Sequence, residues 1–195
     1  MKAAAAIDHI HKRRPQAPLF LAGETMGGLL AADYARRNDR RLSGLILLVP
    51  AFAVDRSRIQ GPRGNGGLFR IPLDSKERLA QTVRDPAFVE ARRADPLALH
   101  EVRLRYLLTI WLMQNDWPQA AAEIRLPLFV AVAGRDQVID SAVAKKVFDG
   151  VATPKSDKLW RKWDDAFHAL CWDPAAPQII AELASWILDQ EAKRR

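Results

Sequence analysis

Three residues that could carry out chemistry, a hydroxyl, an acid and a histidine, stand directly after strand-like apolar runs. Thr25 follows the first run, Asp136 follows the third, and His168 follows a shorter fourth strand pattern. Because the carboxyl ends of parallel strands gather at one edge of an open sheet, we expect the three side chains to meet there. A histidine can take the proton of a hydroxyl group, while a carboxylate holds its tautomer and stabilises the imidazolium. The pattern therefore predicts acyl transfer, with Thr25 as nucleophile, Asp136 as acid and His168 as base.

Each of these positions also has a structural alternative. Asp136 can instead cap the following helix, although Asp140 competes for that role. Three other histidines lie in predicted helical segments away from any strand end, which favours His168 as the base. They are His9, His11 and His100. We interpret Cys171 as a packed thiol rather than a nucleophile, and Glu24 as a structural residue pointing away from the tip of the turn.

The elements that position these residues alternate between strands and helices. Strands are predicted at 19–22, 42–49, 126–133 and 158–163. Helices are predicted at 2–13, 29–37 and 141–148, and a last helix opens at Asp173-Pro174. Nearly continuous apolar runs are typical of parallel strands that are buried on both faces. The pattern predicts the α/β fold class, with a mainly parallel sheet flanked by helices in a single domain of residues 1–195.

The stretch 53–118 interrupts this alternation, and we interpret it as a helical lid inserted into the domain. The pairs Asp85-Pro86 and Asp95-Pro96 each offer a capping acid followed by proline, so a helix is predicted to begin at each. The second helix is predicted to be long, with an apolar stripe of Val102, Tyr106, Ile110 and Met113. The glycine-rich loop 61–67 lacks the Lys-Ser or Lys-Thr of a phosphate loop. The alternative is that the whole stretch is a helical part of the core.

Composition excludes several function classes. The net charge is +7, but the basic clusters are scattered and have no interleaved aromatic residues, which favours a solvated surface over nucleic-acid binding. The single cysteine allows no intrachain disulfide and no thiol zinc site, and we predict neither a metal nor a cofactor. No run approaches the about 20 apolar residues of a membrane-spanning helix, and no signal peptide is evident. We therefore expect a cytoplasmic protein without a membrane span.

The motifs together resemble the α/β-hydrolases of the monoacylglycerol lipase and lysophospholipase kind, also called serine aminopeptidase-like hydrolases. Residues 23–28, Gly-Glu-Thr-Met-Gly-Gly, resemble the G-[HE]-S-M-G-G turn of that family. Residues 84–86 and 94–97 resemble pieces of its lid, residues 127–140 its acid segment and residues 163–168 its histidine segment. The likeness runs from about Ala17 to Trp186.

This resemblance implies an α/β-hydrolase fold with a helical lid and a carboxylic-ester hydrolase that acts on a small lipid or ester. It implies that Thr25, Asp136 and His168 form the catalytic triad and that the backbone N–H of Met26 donates to the oxyanion. It implies no cofactor.

Two departures from the family pattern support an alternative function. Threonine replaces the usual serine, and its β-branch resists the strained backbone of such a turn. About sixteen residues precede the first strand, so we expect an N-terminally truncated member that keeps four strands and a partial fold. The loop that supplies the second oxyanion donor would then be missing. The alternative is an impaired hydrolase that binds a lipid or a protein. The first strand is then expected at an open apolar edge of the sheet, which favours self-association.

Overall fold

The computed structural model of the chain describes residues 2–54, 70–72 and 79–194. The glycine-rich loop predicted at 61–67 lies outside these residues, as does much of the N-terminal part of the predicted lid. Within the described residues, no helix combines the length and the apolar character that crossing a membrane requires.

The described elements alternate much as the sequence predicts. The helices are α1 (Lys2–Arg13), α2 (Met26–Ala35), α3 (Pro86–Ala94), α4 (Leu104–Asn115), α5 (Ser141–Gly150) and α6 (Ala176–Ala192). The strands are β1 (Phe20–Glu24), β2 (Gly44–Leu48), β3 (Arg70–Pro72), β4 (Glu101–Arg103), β5 (Leu128–Ala133) and β6 (Lys158–Trp163). Short 3-10 turns lie at Gln119–Glu123, Lys155–Asp157 and Leu170–Trp172.

Four of these strands form a parallel sheet in the order β1-β2-β5-β6. The register pairs Glu24 with Leu48 and Ala133 with Trp163, so the carboxyl ends of the strands lie along one edge. The predicted α/β class with a parallel sheet is confirmed.

The two central strands are buried on both faces because their side chains alternate between two apolar clusters. Leu45 and Leu47 of β2 face a cluster with residues of α1, α2 and α5, whereas Ile46 and Leu48 face a cluster with residues of α6. Strand β5 alternates in the same way, and all six of its residues are buried. This two-sided burial explains why both segments read as continuous apolar runs.

Strand β1 forms one edge of the four-stranded sheet, as the sequence predicts for the first strand. Its residues are half-buried or exposed. Phe20 nevertheless packs edge-on against Trp186 of α6, with ring centroids 5.9 Å apart.

The prediction that a long helix begins at Asp95-Pro96 is wrong. The Asp95 side chain accepts the N–H of Leu97 at 2.8 Å, which closes a local turn instead of starting a helix. Residues 101–103 then pair antiparallel with residues 70–72, and the helix begins only at Leu104. The first capping prediction is confirmed, because Asp85 accepts the N–H of Ala87 at 2.8 Å at the start of α3.

Candidate active site

The sharp turn between β1 and α2 carries Thr25. Its backbone has φ 49° and ψ −115°, and a positive φ is a genuine outlier for a β-branched residue. Three backbone hydrogen bonds hold this conformation. The Thr25 N–H donates to Leu48 O at 2.9 Å, and its carbonyl accepts from Leu29 N at 3.2 Å and Ala51 N at 3.0 Å. The surrounding sheet and helix therefore fix a conformation that costs about 1–3 kcal/mol.

Glycines let the strand and the helix approach this closely. A Cβ on Gly23 would lie 2.2 Å from the carbonyl oxygen of Gly27, a distance that backbone atoms cannot accommodate. A Cβ on Gly28 would lie 3.0 Å from Pro50 at the end of the neighbouring strand. Packing therefore requires glycine at positions 23 and 28, as the strand–turn–helix pattern predicts, whereas a Cβ on Gly27 would meet no atom within 4 Å.

The two aspartates after β5 occupy different positions. Asp136 is 2% exposed at its side chain, and its Oδ1 accepts the N–H groups of Val138 at 2.8 Å and Ile139 at 3.0 Å. Asp140 instead accepts the N–H of Ala142 at 2.9 Å and caps α5. The capping role that the sequence left open between them belongs to Asp140. The second oxygen of Asp136 is directed to His168.

The His168 ring links this carboxylate to the turn. Its Nδ1 lies 2.8 Å from Asp136 Oδ2, and its Nε2 lies 3.0 Å from Thr25 Oγ1. Only 8% of the imidazole side chain is exposed. An ionised carboxylate can only accept hydrogen bonds, so Nδ1 carries the proton and Nε2 accepts the threonine hydroxyl. The structure brings the three predicted residues into one hydrogen-bonded chain.

The Met26 N–H, predicted as an oxyanion donor, belongs to the first residue of α2. The first N–H groups of a helix have no acceptor within the helix, and they favour negative charge. The Met26 sulfur also contacts the predicted lid, because the Tyr106 hydroxyl of α4 lies 3.0 Å from it. Burial raises the pKa of this tyrosine.

A cavity of about 670 Å³ adjoins this contact. Its lining residues come from β4, α4 and the turn before them: Leu99, Glu101, Val102, Arg103, Arg105, Tyr106 and Thr109. It is an open groove, since all of these residues except Val102 are exposed. The sequence places Tyr106 on the apolar stripe of a helix but gives no signal that it reaches the turn.

Cys171 is exposed, so its prediction as a packed thiol is wrong. Its backbone N–H lies 3.4 Å from a Glu24 carboxylate oxygen. Partial burial of the thiol and the negative charge of Glu24 raise its pKa. A thiol with a raised pKa holds little thiolate at neutral pH, which disfavours Cys171 as a nucleophile.

Sequence reasoning misses two residues beside the histidine loop. The buried Asp173 carboxylate accepts the N–H of Phe167 at 3.0 Å and pairs with Arg84. The sequence indicates Asp173 only as the start of the last helix, which begins at Ala176. Arg84 stands in a segment that resembles the lid of the family, and this resemblance is the one signal that the sequence offers for it.

Comparison with known proteins gives matches over most of the chain. The model of the family described as serine aminopeptidase, S33 (Hydrolase_4) matches residues 2–175. "Phospholipase YtpA" of Bacillus subtilis is 27% identical over 170 residues, which cover 84% of this chain and 65% of that protein. "Monoacylglycerol lipase" of Mycolicibacterium smegmatis is 26% identical over 194 residues, 94% of this chain and 65% of that protein. The chain thus spans about 65% of the length of these curated relatives.

Solved structures with low sequence identity share the fold. The monoacylglycerol lipase of Paleococcus ferrophilus superposes with a TM-score of 0.77 at 19% identity, covering 96% of this chain and 74% of that one. A soluble variant of the monoglyceride lipase from Saccharomyces cerevisiae gives a TM-score of 0.78 at 15% identity, covering 96% and 68%.

Proposed function

Since the chain belongs to the serine aminopeptidase S33 family of α/β-hydrolases, we propose that it hydrolyses carboxylic esters of glycerolipids by acyl transfer to Thr25. The resemblance to this family and the α/β-hydrolase fold that the sequence predicts are confirmed by the family match and the related structures. The triad, the substrate and the lid belong to the proposal.

The observation that carries the proposal is the hydrogen-bonded chain from Thr25 Oγ1 through the His168 ring to Asp136, with contacts of 3.0 and 2.8 Å. These distances lie in the range that a general base needs to take a proton from a nucleophile. The near-complete burial of His168 and Asp136 excludes water that would compete for their hydrogen bonds.

The proposed reaction has two halves. Thr25 Oγ1 attacks the ester carbonyl carbon while His168 Nε2 takes the hydroxyl proton, and the Met26 N–H donates to the developing oxyanion. The imidazolium, steadied by Asp136, then gives its proton to the departing alcohol. In the second half, water attacks the acyl carbon, loses a proton to the same nitrogen, and releases the acid as the proton returns to Thr25.

Threonine can act here because its hydroxyl, rather than its methyl group, lies within hydrogen-bond distance of the histidine. The β-branch keeps the residue in a strained conformation and adds bulk beside the attacking oxygen. We therefore expect the native chain to turn over esters more slowly than its Thr25→Ser variant.

We further propose that residues 53–118 form the lid and receive the acyl chain. The contact between Tyr106 and Met26 joins the described part of this stretch to the nucleophile turn. Leu108, Trp111 and Leu112 of α4 are 43–60% exposed, which fits a helix that meets a lipid substrate or a lipid surface. Glycerol monoesters and lysophospholipids are the expected substrate class, because relatives carry the names monoacylglycerol lipase and phospholipase.

The test is hydrolysis of a short-chain chromogenic ester and of a monoacylglycerol by the purified chain and three variants. Turnover in the native chain, loss in Thr25→Ala and His168→Ala, and a gain in Thr25→Ser are the expected results. Turnover that survives in His168→Ala, or none in either the native chain or Thr25→Ser, contradicts the proposal.

A further inference from the structure

The side chain of Asp173 is completely buried and lies close to the catalytic candidate His168 in the chain. Among the described residues, its hydrogen-bond partners lie beside the histidine, just before α6 and in the predicted lid. Oδ2 accepts the N–H of Phe167 at 3.0 Å, and Oδ1 accepts the N–H of Ala175 at 3.0 Å. The Arg84 guanidinium donates to both oxygens, with Nε 3.0 Å from Oδ2 and Nη2 on Oδ1. This is a two-point, fork-like ion pair.

The Asp173 carboxylate is ionised in this setting. Burial alone raises its pKa, but the Arg84 guanidinium and the two N–H donors outweigh burial, and the pKa lies below its usual value. A buried carboxylate without its cation is strongly unfavourable, so loss of Arg84 would force Asp173 to move, to take up water or to bind a proton. Each of these responses disturbs the acceptor of the Phe167 N–H.

The segment 79–84 also anchors the residue that follows His168. The Ala169 N–H donates to the Thr82 carbonyl at 2.9 Å. Ala169 also packs against a small apolar cluster that includes Leu79 and Val83. The residues on both sides of His168 are therefore anchored by the predicted lid, one directly through Thr82 and the other through the Arg84–Asp173 pair.

We propose that Arg84 is a positioning residue that fixes the His168 loop through Asp173, so that the predicted lid sets the geometry of the general base. This inference rests on the proposed function of His168. The ring must meet two partners at once, at 2.8 Å and 3.0 Å, and a shift of the loop lengthens one contact when it keeps the other. Displacements of about 1 Å in an active site can slow a reaction about 100-fold.

The test compares Arg84→Gln and Arg84→Lys with Arg135→Gln as a matched control. Arg135 also forms an ion pair with an aspartate of the same region, Asp165, at 2.7 Å. That pair is 60% and 75% exposed, and its carboxylate is not the one that receives the Phe167 N–H. All three substitutions are made in the Thr25→Ser chain to give a measurable rate.

The first readout is hydrogen exchange of the Phe167 N–H together with the ¹⁵N shifts of the His168 ring, neither of which requires turnover. In Arg84→Gln we expect this amide to exchange about tenfold faster or more, and the ring to show a mixture of tautomers. Arg84→Lys restores part of the protection because it keeps the charge without the fork. The control leaves both signals unchanged.

The second readout is ester kinetics. We expect kcat to fall about 10- to 100-fold in Arg84→Gln with KM within about twofold, and to recover partly in Arg84→Lys. The inference is overturned if Arg84→Gln leaves the Phe167 N–H exchange and the His168 ring shifts unchanged, or if its kcat falls no more than that of Arg135→Gln. If no variant hydrolyses esters, the proposed function fails, and the magnetic resonance readout alone decides the positioning role. If Arg84→Gln does not fold, Arg84→Lys decides by the same measurements.

Discussion

Replacing Asp136 by asparagine separates the chemical role of this residue from its shape. The side-chain oxygen of the introduced asparagine can keep the bonds that Asp136 Oδ1 accepts from Val138 at 2.8 Å and Ile139 at 3.0 Å. Its NH₂ group then faces His168 Nδ1, which must become an acceptor. The opposite orientation would point the NH₂ at two backbone N–H groups and lose both bonds, so it is disfavoured.

The consequence is an inverted histidine tautomer. With Nδ1 as acceptor, the imidazole proton moves to Nε2 and points at Thr25 Oγ1, 3.0 Å away. A nitrogen that carries a proton cannot take the proton of the hydroxyl group. Loss of the correct tautomer in a triad lowers kcat about 10⁴-fold, equivalent to about 5.5 kcal/mol of transition-state stabilisation. Fold stability should change by only about 1 kcal/mol, because the backbone bonds survive.

Three measurements check this reasoning: ester turnover of Asp136→Asn in the native and Thr25→Ser chains, the ¹⁵N tautomer signature of His168, and thermal unfolding. The matched control is Asp140→Ala, four residues along the chain, which removes the cap of α5. It should lose about 1 kcal/mol of stability and keep its turnover. An Asp136→Asn rate within about tenfold of its parent, or an equal loss in Asp140→Ala, would falsify the assignment.

The remaining predictions concern packing and acid stability. Gly23→Ala should destabilise the fold by about 1–3 kcal/mol or more, because its Cβ would meet the Gly27 carbonyl. Gly27→Ala should raise the unfolding temperature slightly, because no atom lies within 4 Å of its Cβ and alanine favours the helix α2. Equal shifts of the unfolding temperature in the two variants would rule out the close approach at Gly23 as the cause. The Arg41 guanidinium, against the opposing effect of burial, holds the pKa of Asp39 far below its usual value. The ionised Asp39 therefore contributes its full stabilisation above about pH 4 and loses it as the pH falls further. In Asp39→Asn the free energy of unfolding should fall less steeply with pH in this acid range. Asp149→Asn, which removes an exposed ion pair with Lys145, should leave this pH dependence unchanged.

Most of the secondary structure could be read from the sequence because its signals are local. The run predicted as strand 126–133 contains β5, and the strand predicted at Lys158–Trp163 is β6. The prediction of a long helix from Asp95 failed for a tertiary reason. The Asp95 side chain does accept a backbone N–H, but this hydrogen bond closes a single turn. Residues 101–103 then pair as a strand with residues 70–72, so the helix begins only after them.

The placement of the candidate site residues could also be predicted from the sequence, but not in every detail. Thr25, Asp136 and His168 could be named because a parallel sheet brings the ends of its strands together whatever the loops do. The choice between Asp136 and Asp140 needed coordinates, since both follow β5 and either can cap a helix. The prediction for Cys171 failed because sequence spacing carries no information on which loop residues face solvent.

The sequence specified which residues occupy strand ends, where the glycines permit a sharp turn, and which family the chain resembles, because each depends on a few neighbouring residues. Only the tertiary structure connected Arg84 to Asp173, 89 positions further along, and Tyr106 to Met26, 80 positions earlier. Such contacts depend on how the 79–115 region packs against the nucleophile turn and the histidine loop. No local pattern records that packing, because the partners are far apart in the sequence.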